Sequence, residues 1–111
     1  MDWHNLINEN QLDELVVKSQ ERPQLIYKHS TRCGTSSLIR NRLERAAVPA
    51  AMDFYFLDLI AYRSLSDKIA NSFGVRHESP QVLLIQNGEC VYHQSHGAIY
   101  MEEIAEQSMR A

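Results

Sequence analysis

The chain has 111 residues, of which 44% are hydrophobic and 23% are charged, and its formal net charge is -3 with a pI near 5.9. This length predicts one domain, residues 1–111, with a packed core, and the composition excludes a disordered or collagen-like chain. A weakly acidic chain is not expected to bind nucleic acid or an anionic membrane surface through its overall charge.

The termini and cysteines predict a cytoplasmic protein. No apolar run approaches the roughly 20 residues that a membrane span needs, and the first residues lack the basic start and apolar stretch of a secretory signal. The two cysteines, Cys33 and Cys90, are far apart in the sequence. This spacing fits neither a metal cluster nor a secreted disulfide framework, so we expect free thiols and no metal.

The first half of the chain predicts a helix, a strand and a second helix. Apolar residues on one helical face between positions 6 and 16 predict an opening amphipathic helix. A short strand is expected at 25–27, followed by a polar loop at 29–36. Apolar residues from Leu38 to Ala46 then recur at helical spacing, so Cys33 is expected at a strand-to-helix junction.

The second half predicts a strand, a helix, a hairpin and a closing helix. The strand is expected at 54–57. Ser64 and Asp67 resemble a capping box for the next helix, and Gly74 is placed to end that helix in a left-handed turn. Asn87 and Gly88 separate two short apolar runs, which predicts a hairpin ahead of the last helix.

The predicted element order, with a cysteine after the first strand and Ser79–Pro80 directly before the third, resembles the thioredoxin fold. That resemblance implies an α/β fold, with a four-stranded mixed sheet flanked by helices on both faces and an additional N-terminal helix. Three segments are similar to the monothiol bacilliredoxin family of the bacillithiol redox system, namely His29–Ser36, Val75–Val82 and Tyr92–His96. The family usually has a proline after the reactive cysteine and a tryptophan after the Ser-His pair, where this chain has Gly34 and Gly97.

Cys33 is the predicted nucleophile. A free cysteine is mostly protonated at neutral pH, but the unpaired N–H groups at a helix N-terminus favour the thiolate. Arg32, together with Lys28 or His29, is expected to lower the pKa further. The alternative is a cysteine in the capping region with no chemical role.

Ser36 stands where a two-cysteine redox motif has its resolving thiol. A mixed disulfide on Cys33 must therefore be resolved by an external thiol, which favours exchange with a low-molecular-weight thiol. Ser36 either hydrogen-bonds the Cys33 thiolate, as a second catalytic residue, or simply fills the first helical turn. Cys90 is expected at the far end of the hairpin, roughly 20 Å from the reactive edge and too distant for a disulfide.

The resemblance implies bacillithiol as co-substrate and no bound cofactor. Bacillithiol contains a sugar and a malate with two carboxylates, so its site needs hydrogen-bond donors and positive charge. The predicted substrate-binding residues are Arg32, Gly34, Thr35, Arg76, His77, Ser79, Pro80, His96 and Gly97. A cis Ser79–Pro80 bond, implied by the fold, would expose the Ser79 backbone to a thiol ligand, and an ordinary trans turn is the alternative.

The leading functional prediction is an enzyme that exchanges thiols and disulfides through Cys33 and removes bacillithiol, or a similar small thiol, from S-thiolated client proteins. The alternative is a noncatalytic thioredoxin-like binding or stress-adaptor module. An arsenate-reductase-like enzyme is a third possibility. It is disfavoured because Arg40, Arg42 and Arg45 are expected too far along the helix to hold an oxyanion beside the cysteine.

Overall fold

A computed structural model describes residues 1–110 as a sheet of five strands with helices on both faces. In chain order the elements are β1 (Trp3–Asn5), α1 (Glu9–Lys18), β2 (Gln24–His29), α2 (Gly34–Arg45), β3 (Asp53–Asp58), α3 (Arg63–Phe73), β4 (Gln81–Gln86), β5 (Glu89–Ser95), a 3-10 turn (His96–Ala98) and α4 (Met101–Ser108).

Strand β2 lies at the centre of the sheet, whose order is β1-β3-β2-β4-β5. It pairs in parallel with β3 and antiparallel with β4, and β5 returns antiparallel to β4. The C-terminal end of β2, the start of β4 and the end of β5 therefore meet at one edge of the sheet. Lys28 pairs with Gln81, and Gln81 pairs with Ser95.

The N-terminal segment differs from the sequence prediction, because the chain opens on a strand and the sheet has five strands instead of four. β1 pairs in parallel with β3, and its Trp3 ring packs against Tyr27 and Phe56. The Trp3 indole N–H also donates to Glu44 on α2 over 2.8 Å. These long-range contacts hold a three-residue strand that has little local preference for strand structure.

Helix α1 follows the first strand and begins at a capping box. The side chain of Asn8 accepts from the Gln11 backbone N–H over 2.9 Å, and the Gln11 side chain reaches back to the Asn8 backbone N–H over 3.3 Å. Both bonds satisfy backbone donors that the first helical turn would leave unpaired. α1 therefore starts at Glu9, after the first strand has ended.

The sheet divides the core into two layers. One layer packs α1 and α3 against residues such as Ile26 and Leu83, and the other packs α2 and α4 against Leu25, Tyr27 and Leu84. Because successive strand residues point to opposite faces, the Tyr27 side chain lies on the α2 side. The Lys28 ammonium lies on the α3 side, where it contacts Ser66.

Two of the predicted turns are confirmed. Asn87 and Gly88 have φ values of 54° and 78°, which is the left-handed pair that a tight hairpin requires. Gly74 ends α3 at φ 65° and ψ 32°.

The capping box predicted at Ser64 and Asp67 is wrong. α3 begins at Arg63, and its N-cap residue, Tyr62, makes no side-chain capping bond. The polar turn before α3 is instead held by Asp58, whose Oδ1 accepts from the backbone N–H groups of Ile60 and Ala61.

Candidate functional site

Cys33 occupies the N-cap position of α2, directly before Gly34. Its backbone is extended, with φ -112° and ψ 117°, and its side chain is partly exposed. The Cys33 N–H donates to the Ser30 carbonyl over 3.2 Å, and the Cys33 carbonyl accepts from the Ser36 N–H over 3.1 Å. Backbone hydrogen bonds to Ser30 and Ser36 therefore hold Cys33 at the helix N-terminus, the position that the sequence predicted.

The pKa of the Cys33 thiol is lowered by groups of the first turn of α2. The backbone N–H of Ser36 is the largest cause of the lowered pKa. The Thr35 N–H and the hydroxyls of Ser36 and Thr35 lower the pKa further, whereas partial desolvation of the thiol raises it. Each of these groups is a hydrogen-bond donor near the start of α2, and a donor close to a thiol favours its thiolate form. Lys28 and His29 do not supply the positive charge expected from the sequence, since Lys28 faces α3 and burial lowers the pKa of His29.

Ser36 is fully buried beneath this turn. Its Oγ accepts from the Ser30 backbone N–H over 3.3 Å, and its carbonyl accepts from the Tyr27 hydroxyl over 2.8 Å. The same hydroxyl lies 3.1 Å from Nδ1 of His29. Ser36 thus links the strand end, the loop and the helix that together carry Cys33.

The Ser79–Pro80 peptide bond is cis, as the resemblance to the thioredoxin fold implied. The Pro80 carbonyl accepts from the His96 N–H over 2.9 Å, so the cis-proline segment and the end of β5 are joined. The Ser79 hydroxyl is buried and has no hydrogen-bond partner within residues 1–110.

The 96–98 turn is fixed to α2 by Arg42, which the sequence suggested only as a cation near the helix end. The Arg42 guanidinium donates to the carbonyls of Gly97 and Ile99 over 2.8 and 2.9 Å and lies 4.4 Å from the centre of the Tyr100 ring. A Cβ added at Gly97 would meet no atom within 4 Å, and the same is true at Gly34. Space is thus open at both positions where this chain departs from the family pattern.

The charged groups of this edge include the partly buried carboxylate of Glu78, which was not among the predicted site residues. The Ser95 hydroxyl donates to Glu78 and is the main cause that lowers the pKa of the Glu78 carboxyl. Nearby His96 and Arg76 lower it further, so these two predicted substrate-binding residues lie around Glu78. Arg32 is also exposed, and its backbone N–H donates to the Ser30 hydroxyl over 3.3 Å.

His77 is not placed as the sequence analysis expected. Its Nδ1 lies 3.3 Å from Nζ of the fully buried Lys28 and 3.4 Å from the Ser66 hydroxyl, on the α3 side of the sheet. Burial and the neighbouring cations Lys28 and Arg63 lower the His77 pKa. The lowered pKa disfavours the charged form of His77, and its Nδ1 is directed toward Lys28 and Ser66 instead of a ligand at the edge.

Cys90 lies near the opposite end of the sheet, half-buried, and burial raises its pKa. It pairs with Ile85, whereas the reactive edge is marked by the pairing of Gln81 with Ser95. Five strand residues at about 3.3 Å each separate Cys90 from Ser95 by roughly 16 Å, well beyond the approximately 7 Å between Cα atoms that a disulfide allows. Cys90 cannot resolve a disulfide on Cys33 without a large rearrangement.

Residues 1–110 contain neither a metal-binding cluster nor a membrane-spanning helix. No three histidine, cysteine, aspartate or glutamate side chains in this range are grouped so that they could bind a metal ion. No helix in the same range has the length and apolar character of a membrane span.

Solved structures with the same fold are numerous. A protein described as a candidate oxidoreductase with a thioredoxin fold is 30% identical, with a TM-score of 0.77 over 93% of this chain and 90% of that one. Thioredoxin from Fasciola hepatica is 19% identical, with a TM-score of 0.73 over 96% and 97% of the two chains. Thioredoxin from Malassezia sympodialis is 14% identical, with a TM-score of 0.73 over 97% and 90%. The last two likenesses establish the thioredoxin-like fold.

A family model narrows the assignment. The model of the monothiol bacilliredoxin BrxC matches residues 4–104, a range that contains Cys33, the cis-proline segment and the 96–98 turn. The chain therefore belongs to the monothiol bacilliredoxin BrxC family.

Proposed function

We propose that this protein removes bacillithiol from S-thiolated proteins through disulfide exchange at Cys33. The observation that carries the proposal is a partly exposed thiol of lowered pKa at the N-terminus of α2, with Ser36 where a resolving thiol would stand. Membership of the BrxC family supports bacillithiol as the small thiol.

The reaction has two steps. The Cys33 thiolate attacks the bacillithiol sulfur of the mixed disulfide, the client cysteine leaves as a thiolate and takes a proton from water, and Cys33 is left joined to bacillithiol. The thiolate of a second small thiol then attacks the bacillithiol sulfur of this new disulfide. The Cys33 thiolate leaves, and bacillithiol is released as a disulfide with the second small thiol. The electron pair passes from thiol to thiol at each step, so no metal or redox cofactor is needed.

An external thiol is needed because this chain offers no internal one within reach. The Ser36 hydroxyl cannot form a disulfide, and Cys90 lies near the opposite end of the sheet. The first-turn donors of Thr35 and Ser36 favour the Cys33 thiolate both as nucleophile and as leaving group. These features favour a monothiol exchanger over a noncatalytic binding module.

The proposed ligand site is the surface between α2, the cis-proline segment and the 96–98 turn. The Ser79 backbone, beside the cis Ser79–Pro80 bond, is the candidate to pair with a bound thiol ligand. The exposed cations Arg32 and Arg76, together with His96, are the candidates to bind the malate carboxylates. Free space at Gly34 and Gly97 leaves room for the sugar.

The test is intact-protein mass spectrometry after the reduced protein is mixed with a target that carries one bacillithiol mixed disulfide. The variants are Cys33→Ser and, as the matched control, Cys90→Ala. We expect the mass of bacillithiol to move from the target to wild type and to Cys90→Ala, and to stay on the target with Cys33→Ser. If Cys33 in wild type stays unmodified while the target keeps its bacillithiol, the proposal is wrong.

A second comparison tests the thiol class and the cations. The same target is prepared as a glutathione mixed disulfide, and the proposal predicts slower transfer than from the bacillithiol form. Arg32→Glu and Arg76→Glu are expected to slow transfer from the bacillithiol target, because each would place a negative charge near the malate. Equal rates for both variants and wild type would remove these arginines from the site.

A further inference from the structure

Tyr27 lies fully buried in the central strand, directly beneath the first turn of α2. Its ring packs between Trp3 and Phe56, with ring centres 5.5 and 5.8 Å away. A phenol in such an apolar layer normally needs a partner for its hydroxyl. Here the hydroxyl reaches the Ser36 carbonyl at 2.8 Å and His29 Nδ1 at 3.1 Å.

The hydrogen-bond directions follow from counting hydrogens. The phenol has one hydrogen, which it donates to the Ser36 carbonyl, so the Tyr27 oxygen accepts from His29 and Nδ1 carries the proton. His29 is itself only 4% exposed, and its ring lies 5.0 Å from that of Phe56. Burial raises the pKa of Tyr27, so its hydroxyl remains a donor at every pH at which Cys33 exchanges disulfides.

Ser36 transmits this contact to the nucleophile. Its N–H donates to the Cys33 carbonyl over 3.1 Å, and its Oγ accepts from Ser30, whose carbonyl in turn accepts from the Cys33 N–H. Any shift of Ser36 therefore changes the position of the donors that face the Cys33 sulfur. The charge of Cys33 also raises the pKa of Tyr27, which indicates that the two groups interact.

We propose that Tyr27, oriented by His29, is a positioning residue for Cys33, because its hydroxyl fixes Ser36 and with it the first-turn donors that stabilise the thiolate. The proposal rests on the proposed function only in taking Cys33 as the reactive thiol. It adds a buried residue that acts through Ser36, and it gives a role to two polar side chains, Tyr27 and His29, that lie inside an apolar layer.

The test is Tyr27→Phe, with Tyr55→Phe as the matched control. Tyr55 is also buried in a central position, but it packs in the α1 and α3 layer, and its hydroxyl donates to Gln24 over 2.8 Å at the far end of β2. Tyr27→Phe loses its buried hydrogen bonds to Ser36 and His29, and Tyr55→Phe loses its buried hydrogen bond to Gln24. Both variants therefore remove a buried phenol hydroxyl, and only the Tyr27 hydroxyl contacts Ser36. Both variants are made in Cys90→Ala protein, so that alkylation by iodoacetamide reports on Cys33 alone.

The measurement is the alkylation rate as a function of pH. We expect Tyr27→Phe to move the profile to higher pH and to lower the rate about threefold at a pH below the thiol pKa, which corresponds to a rise of about half a pKa unit. Tyr55→Phe is expected to keep the profile of the parent. Overlapping profiles for folded Tyr27→Phe and the parent would overturn the proposal.

His29→Phe provides a second route if Tyr27→Phe does not fold. It keeps the aromatic packing and removes the Nδ1–H that orients the Tyr27 hydroxyl. A shift to higher pH is expected here too, and an unchanged profile would contradict the proposal. Because alkylation needs no bacillithiol, these results stand whether or not the proposed transfer reaction is observed.

Discussion

Lys28 is a fully buried lysine whose pKa is lowered from 10.5 to about 8. Burial lowers the pKa because it removes water from the ammonium, and the negative charge of Asp67 offsets part of this decrease. Its Nζ donates to the Ser66 carbonyl over 3.1 Å and contacts His77. We consider the substitution Lys28→Met, which keeps most of the side-chain length and removes the charge.

The sign and size of the effect follow from proton linkage. Between the folded pKa of about 8 and the ordinary value of 10.5, the unfolded chain binds more protons than the folded one, so stability rises with pH. Below pH 8 the cost of the buried charge is fully present, and it is lost only as pH rises toward 10.5. Integrated from pH 7 to pH 10, the lysine should add about 2.5 kcal/mol to the free energy of unfolding.

The assay is urea unfolding of wild type and Lys28→Met at pH 7, 8, 9 and 10. Subtracting the variant at each pH cancels the titration of tyrosines and cysteines that the two proteins share. The free energy of unfolding of wild type minus that of the variant should increase by about 2–3 kcal/mol from pH 7 to pH 10. A difference that stays constant with pH would refute the reasoning, since it would mean that the Lys28 pKa is the same in both states.

Three further results are expected. Ser36→Ala should slow alkylation of Cys33 several-fold at pH 7 but not at pH 10, because the lost hydroxyl donor matters only while the thiol is partly protonated. Equal slowing at both pH values would indicate a structural effect instead. Asn8→Ala should cost about 1 kcal/mol in urea unfolding by removing the cap of α1, and an unchanged midpoint would show that the cap contributes nothing. Gly74→Ala should also lower the free energy of unfolding by about 1 kcal/mol. A Cβ at this position meets no atom within 4 Å, so the expected cost comes from the left-handed φ of 65° alone. A variant as stable as wild type would contradict this.

The sequence predicted those parts of the fold that depend on local patterns. The hairpin at Asn87 and Gly88, the end of α3 at Gly74 and the helix N-terminus at Cys33 all depend on a turn or cap encoded within a few residues. β1 has no such pattern, because Trp-His-Asn becomes a strand only through pairing with β3 and packing of Trp3 on distant rings. The predicted cap of α3 at Ser64 is wrong because Asp58 holds the preceding turn and Tyr62 is the N-cap residue.

The sequence shows which residues lie next to Cys33 along the chain, but it does not show how the side chains beneath Cys33 are arranged. Exposed groups such as Arg32 could be placed from their position beside the cysteine. The direction of a buried side chain depends on which face of the sheet its residue occupies, so the inward orientation of His77 could not be predicted from the loop sequence. The contact of Tyr27 with Ser36 could not be predicted for the same reason, because it joins buried residues on two different elements. A polar residue at the end of a buried strand is the signal that could have indicated such contacts.

The end of β2 places consecutive residues on opposite sides of the sheet, with Tyr27 and His29 toward α2 and Lys28 toward α3. A strand alternates strictly between its faces, so inserting or deleting a single residue within Gln24–His29 would exchange the two sets of side chains. An ammonium would then lie under the first turn of α2, and a phenol would lie against Ser66. A point substitution along β2 changes one of the two layers, whereas a shift of the strand by one residue changes both layers at once.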